Sequence, residues 1–293
     1  MAKTHAEFRL DHNSYGKSRV RMMKVSREGK RHTVRELSVD VSLQGDFEDV
    51  HLCGDNSKCL PTDTMKNAVY ALGKDDAIEA VETFAVRLAR HFVERNAHVR
   101  VARIGVTEMG WNRLTLRGRE HPHCFEQGTA ERQSCSASLV REGRKTMRFV
   151  TGQLANLVLL KSTDSAFAGF MRDEYTTLPE TDDRIMATSV SATWVFGRER
   201  ADYAKARTQV RSALVETFAR HKSKSVQHTL YAMGEAALKR CGAIDRIDLS
   251  LPNKHCLLVN LSPFGMDNRN EVFVPTDEPH GLIEAAVVRA VRE

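Results

Sequence analysis

Residues 161–185, KSTDSAFAGFMRDEYTTLPETDDRI, gather side chains that rarely serve one purpose. Phe167 and Phe170 flank two small residues, Ala168 and Gly169. Arg184 follows beyond an acidic run of Asp173, Glu174, Glu180, Asp182 and Asp183. An aromatic face beside a planar guanidinium suits a flat, anionic heterocycle. The ring stacks on the phenyl group and the guanidinium fork bonds its edge in two places. Taken alone, the same residues also read as a core phenylalanine and a solvated arginine in an acidic loop.

Other positions could hold an anion or move a proton. Thr62-Asp63 and Ser225-Val226-Gln227 stand where helices are expected to start, and a helix start offers unpaired N–H groups and the positive end of a dipole. Gln227 adds an amide that both donates and accepts, which matches the edge of a lactam-type ring. Each is equally an ordinary cap. Asn253 and His255 are two residues apart, so in extended chain they point the same way and could hold a small ligand and relay a proton. Lys17, after Gly16 in a basic segment, could act as a base through a threonine hydroxyl if its surroundings favour the neutral amine. His121, His123 and Cys124 are metal-ligand types, but no second ligand pair stands at finger-like spacing. A strand or loop with incidental histidines is expected there, and no metal site. No Ser-His-Asp order, Cys-His nucleophile pair or H-E-x-x-H stands out.

The elements that must position these residues follow from periodicity. Strands are expected at Phe8–Asp11, Ser18–Val25 and Val34–Leu43, with a turn at Arg27–Lys30. A polar loop runs to Pro61. A helix opens at Thr62-Asp63-Thr64 and closes at Gly73, and a second spans 76–95 with the stripe Ile78, Val81, Ala85, Leu88, Phe92. Strands follow at Val99–Glu108 and Arg113–Leu116, and two more, His123–Gln127 and Ser134–Arg141, extend the sheet. The pattern then restarts, with strands at Thr146–Lys161 and Ala187–Phe196 and helices at 202–221 and 225–241. Strands at Ile244–Leu251 and Cys256–Leu261 are joined by a loop at 252–255, and a strand at Glu271–Val274 and a helix at Gly281–Val291 close the chain. Both halves thus read as strands, a helix pair, then strands. This predicts an α+β protein of antiparallel sheets with helices on one face, built from a first module at 1–144 and a second at 145–293. No GxGxxG follows a strand and no P-loop is present.

The 293 residues, 41% hydrophobic and 28% charged, can form two packed cores. No apolar run is long enough for a membrane helix, the first residues are polar, and the last are not a small-Lys-Leu import address, so cytoplasmic residence without membrane contact is expected. Six cysteines without a CxxC read as free thiols. The net charge of +6 sits in residues 1–35, where ten Lys and Arg face three acids. Such a segment can attract nucleic acid or a small anion, or be a solvated face.

Several of these stretches together resemble the urate oxidase (uricase) family: Tyr15-Gly16-Lys17, Thr62-Asp63-Thr64-Met65-Lys66-Asn67, the run from Leu160 to Ile185, Ser225-Val226-Gln227, and Ser250-Leu251-Pro252-Asn253-Lys254-His255. They stand in the family's order and span nearly the whole chain. The resemblance implies two tandem tunnelling-fold (T-fold) modules, each an antiparallel sheet backed by a helix pair. Dimers would close the sheets into a barrel around a tunnel, and two rings would stack as a homotetramer. It implies that urate, dioxygen and water give 5-hydroxyisourate and hydrogen peroxide, with no metal or organic cofactor. It further implies that Phe167 stacks on the purine, that Arg184 clamps one edge, and that Gln227 with the Val226 backbone clamps the other. Thr62 and Asp63 would meet the five-membered ring from a neighbouring subunit. Lys17, Thr62 and His255 would relay protons, and Asn253 would hold dioxygen or water above the ring. Some relatives carry Trp near Ala168 and near Asp182, so packing around Phe167 and Arg184 is expected to differ here.

Two other classes compete. One is another T-fold enzyme, a hydrolase or aldolase acting on purines or pterins, whose zinc-dependent members would need His and Cys converging in the pocket. The other is nucleic-acid binding through the first 35 residues, where only Phe8 and Tyr15 could stack on bases.

Overall fold

The computed structural model describes residues 8–75, 77–197 and 201–290, and the chain divides into two compact units. Unit 1 comprises Met1–Thr129 and Ser134–Thr151, and unit 2 comprises Ala130–Gln133 and Gly152–Glu293. Both are α+β, with antiparallel ladders throughout the pairings that position the site.

In unit 1, β1 (Tyr15–Glu28) turns through Gly29, in the left-handed region at φ 59°, into β2 (Arg31–Gly45). A short α1 (Glu48–Leu52) precedes α2 (Thr62–Asp75) and α3 (Val81–Arg95). Then come β3 (Val99–Met109), β4 (Trp111–Leu116), β5 (Arg119–Gln127) and β6 (Arg132–Glu142). The sheet order is β1-β2-β3-β6, continuing into β7 (Lys145–Lys161), while β4 and β5 pair separately as a hairpin. Leu37, Val39, Val41 and Leu43 are buried at every second position of β2, as a half-buried strand requires. They share the core with Phe84, Leu88 and Phe92 of α3.

In unit 2 the order is β7, β8 (Met186–Phe196), β9 (Ile244–Leu258), β10 (Phe273–Val288), with α4 (Tyr203–Arg220) and α5 (Val226–Arg240). Val210, Leu214 and Phe218 of α4 are buried, as are Leu230 and Met233 of α5 and Ile247, Leu249 and Leu251 of β9. A Cβ at Gly234 of α5 would press on Val287 and Leu249, so the missing side chain sets how closely this helix approaches β9 and β10.

Several expectations are corrected. Residues 281–288 are strand, not helix, and the expected helix end at Val291 lies outside the described residues. Ile283, Ala285 and Val287 pair with Leu251, Leu249 and Ile247, so a ladder to β9 overrides the helix-forming Glu-Ala-Ala run. Residues 252–255 are not a loop but the middle of one continuous β9. Asn253 pairs with Thr188 and Gly281, and His255 with Thr276. The irregularity instead is a bulge in β10, where residues between Thr276 and Gly281 are inserted and Asp277 meets the Lys254 ammonium at 2.5 Å. Gly73 does not end α2 but lies buried inside it, against Met22 of β1. The helix expected from Asp76, itself outside the described residues, begins only at Val81. Ile78 is buried at φ 51° ahead of it, so its periodic spacing reflects burial rather than helix. β5 pairs with β4 and does not extend the main sheet, residues 8–11 form no strand, and the expected loop before Pro61 contains α1.

Part of the basic segment is engaged within unit 1. Arg21 pairs with Glu36, Arg31 with Glu120 at 2.6 Å and Arg35 with Glu108 at 2.8 Å, and Lys24 donates to the carbonyls of Gly73 and Lys74. Among the described residues no helix is long and apolar enough to cross a membrane.

Candidate active site

Three of the nine expected site residues belong to unit 1. Lys17 sits on β1 just before a β-bulge. Lys17 pairs with Val41 and the next ladder pair is Val20 with Val39, leaving Ser18 and Arg19 opposite one residue. Arg19 takes the left-handed conformation at φ 55°, and its N–H donates to the Asp40 carboxylate at 2.8 Å. Such a bulge re-aims the side chains beside it. The preceding Gly16 lies so close to β2 that a Cβ there would overlap the Val41 carbonyl. Two residues before Lys17, the Tyr15 hydroxyl accepts the Leu60 N–H at 2.8 Å, and Leu60 is two residues before Thr62. One phenol thereby ties the Lys17 strand to the start of α2. Burial, then the neighbouring Cys59, pushes the Tyr15 hydroxyl up to about 12, so it stays protonated.

Thr62 opens α2, and Asp63 is exposed on its first turn. The Asp63 carboxylate accepts from Lys66, and from Asn67 at 3.0 Å. It is held below the usual carboxylate range chiefly by the hydrogen bond from Lys66, with a smaller contribution from the Lys17 charge. Lys17 and Asp63 therefore share one electrostatic neighbourhood.

The other six belong to unit 2. Phe167 and Thr181 exchange backbone hydrogen bonds at 2.8 and 3.0 Å, which closes residues 167–181 into a loop. Phe170 stacks on Phe167 with centroids 4.9 Å apart and planes 15° apart, and the Arg184 Cζ lies 5.3 Å from the Phe167 centroid. Asp183 latches the base of the loop: its carboxylate accepts the Thr163 hydroxyl at 2.7 Å and the Ser165 N–H at 3.2 Å. These bonds, Thr163 first, hold its carboxyl below the usual range. Next to it, Ser165 bridges Ser223, Ala166 donates to the Ser223 carbonyl at 2.8 Å, and Ser223 donates back to Asp164 at 2.9 Å. Two residues on, the Ser225 hydroxyl caps α5 by accepting the His228 N–H at 3.1 Å. The chain that carries Phe167 is thus fastened to the helix start that carries Val226, which is buried, and Gln227, which is exposed.

Arg184 is half-buried, with its Nε enclosed and lacking a protein acceptor. Burial pulls the guanidinium below its ordinary value, a cost that an anion would offset. Four residues on, Thr188 is fully buried with an unpartnered hydroxyl and pairs with Asn253 across the β8–β9 ladder. Asn253 and His255 share one face of β9, as their spacing predicts. Two clefts of unit 1, one by Met22, Lys24 and Tyr70 and one by Arg35, Trp111 and Phe125, contain none of the nine residues.

Sequence reasoning singled out neither Tyr15 nor Asp183 for a positioning role, and did not notice Thr188. Tyr15 lay within a quoted motif and Asp183 within an acidic run, but neither partner is near in sequence.

A family model for uricase matches residues 13–138 and 150–284. The chain belongs to the uricase family. It is 42% identical over 280 residues to the uricase of Arthrobacter globiformis, covering 96% of this chain and 90% of that one. It is 37% identical to that of Aspergillus flavus, covering 94% and 95%. The crystal structure of the A. globiformis uricase superposes with a TM-score of 0.91 at 40% identity, covering 98% of this chain and 97% of that one. More distant relatives keep the fold: a uricase from Bacillus fastidious at 21% identity has a TM-score of 0.82.

Proposed function

We propose that this uricase-family chain is a urate oxidase. Urate, dioxygen and water become 5-hydroxyisourate and hydrogen peroxide, a two-electron oxidation of the purine with water adding one hydroxyl. The urate ring stacks on the Phe167 face that Phe170 leaves open. Arg184 bonds one edge bidentately, and the Gln227 amide with the Val226 backbone bonds the other. Thr62 and Asp63 meet the five-membered ring at the start of α2. Lys17, through the Thr62 hydroxyl and with His255, draws a proton from the substrate. The resulting electron-rich anion gives electrons one at a time to dioxygen, whose ground state is a triplet. Asn253 holds dioxygen, then water, above the ring. The protein need only deprotonate, orient and stabilise charge, so no metal or organic cofactor is required.

The observation that carries this reading is the fastening of Phe167, Arg184 and the α5 start into one framework by the Ser165–Ser223 bridge and the Asp183 latch. That framework supports reading the aromatic face, the guanidinium fork and the Gln227 amide as parts of one grip on the ring. The Tyr15 link between the Lys17 strand and Thr62 supports the relay. The reading includes two T-fold modules, divided as 1–144 and 145–293 at the turn before β7. It includes a homotetramer in which sheets close into a barrel and sites form from residues of different subunits, resident in the cytoplasm.

The test is urate absorbance and oxygen uptake with metal-stripped protein in air. Stoichiometric peroxide formation is expected. Turnover restored only by copper or iron would reject the cofactor-free mechanism, and a solution mass of one chain would reject the shared site.

A further inference from the structure

The β4–β5 hairpin carries a cluster that the reaction does not use. Between the ladder pairs Arg113–Phe125 and Thr115–Glu120, one residue of β4 faces four of β5, His121 to Cys124. In a regular strand His123 and Cys124 would point to opposite faces. The bulge removes that alternation, and the ligand atoms of His121, His123 and Cys124 all lie within 4.8 Å of one another. Spacing alone makes these residues incidental, for want of a second ligand pair; the bulge supplies the convergence.

The bulge is also built rather than loose. The Arg113 guanidinium donates to the carbonyls of His121 at 2.9 Å and Pro122 at 2.6 Å, and also to that of His32. Its Cζ lies 4.8 Å from the Phe125 ring centroid. The His123 N–H donates to His121 Nδ1 at 3.3 Å, so in this tautomer the ring proton is on Nε2; coordination through Nε2 moves that proton to Nδ1 and gives up this one long bond. A further imidazole, His32 on β2, stands with its centroid 5.6 Å from that of His123. Cys124 is a free thiol and partly accessible, and His123 is exposed, so an ion can enter from solvent.

We infer that His121, His123 and Cys124 form a binding site for a borderline-soft divalent transition metal, zinc first, that staples the β4–β5 hairpin. Around a tetrahedral zinc, nitrogen and sulfur ligands sit roughly 3.5 Å apart, a separation that side-chain rotation within the bulge reaches. Two imidazoles and a thiolate suit zinc, cobalt or copper and not magnesium or calcium, which take oxygen ligands. The fourth position is left to water, with the His32 imidazole close by on β2. The site is separate from the oxidation chemistry, because none of its residues belongs to the urate site.

The experiment titrates chelator-stripped, full-length protein with Zn²⁺ by equilibrium dialysis and with Co²⁺ by absorption spectroscopy. One ion per chain is expected, with a thiolate-to-cobalt charge-transfer band and a higher melting temperature in zinc. Cys124→Ser should abolish the band, His123→Ala should weaken binding at least tenfold, and Cys53→Ser should change neither. Absence of saturable binding, or a band that survives Cys124→Ser, would overturn the assignment. Urate turnover of the same stripped protein is read separately, so failure of one proposal is distinguishable from failure of the other.

Discussion

The two groups of proposed site residues are held by different physics. In unit 2, Phe167, Arg184 and the start of α5 are fixed by a backbone bridge, a carboxylate latch and a helix cap, all short-range and geometric. In unit 1, Lys17 lies on β1 between Gly16, pressed against β2, and a bulge, and its surroundings are set by charge: Asp63 with Lys66 and Lys17 itself. The contrast matches two tasks. Gripping a rigid planar ring rewards fixed donors at fixed separations, whereas moving a proton rewards groups whose charge can change.

The sharpest way to break this division is Lys17→Met. Turnover should fall by about 10²–10⁴-fold, the usual worth of a positioned base, while affinity for an unreactive urate analogue stays within a few-fold. Equal losses in both would make Lys17 a binding residue and erase the distinction. Arg184→Lys should do the opposite: analogue affinity falls by roughly 10–100-fold because the planar fork is lost, with a smaller change in kcat. An unchanged dissociation constant would remove Arg184 from the clamp.

A several-fold rise in KM is expected for Asp183→Asn, since a neutral amide accepts more weakly from Thr163 and Ser165. The latch should also show in the pH dependence of analogue binding. Its carboxyl is depressed in the folded protein, so its contribution is complete above the ordinary value of about 4 and is lost only as pH falls through the lower folded value. Wild-type binding that weakens between neutral pH and about 5 would point to some other group. The smallest effect is expected from Tyr15→Phe, which leaves the Leu60 N–H without its acceptor. A net hydrogen bond of about 1 kcal/mol corresponds to roughly a five-fold fall in kcat, with analogue affinity unchanged.

What could be read from the sequence was what neighbours in sequence decide. Asp202 and Ser225 announce α4 and α5, and each caps its helix by accepting an N–H three residues on. Alternation in Val39–Leu43 announces β2. The motifs around Phe167, Arg184 and Gln227 were legible as chemistry because stacking and bidentate bonding depend on residue type. What was not legible depends on partners distant in the chain. Residues 281–288 are strand because β9 is there to pair with them, and Pro252-Asn253 looks like a turn until β8 and β10 hold it straight. The Asp183 latch joins residues 18 and 20 apart, and the Tyr15 link spans 45. The β5 bulge is a register shift, which residue types alone do not encode.

The crowding at Gly16 bears on any attempt to harden this enzyme against heat. Replacing glycine by alanine narrows the freedom of the unfolded chain and can stabilise a protein wherever the backbone and the space allow it. Gly242 meets both conditions, with nothing within 4 Å of an added methyl. At position 16 the same exchange would wedge two strands apart one residue from the proposed base, so there it would cost stability and turnover together.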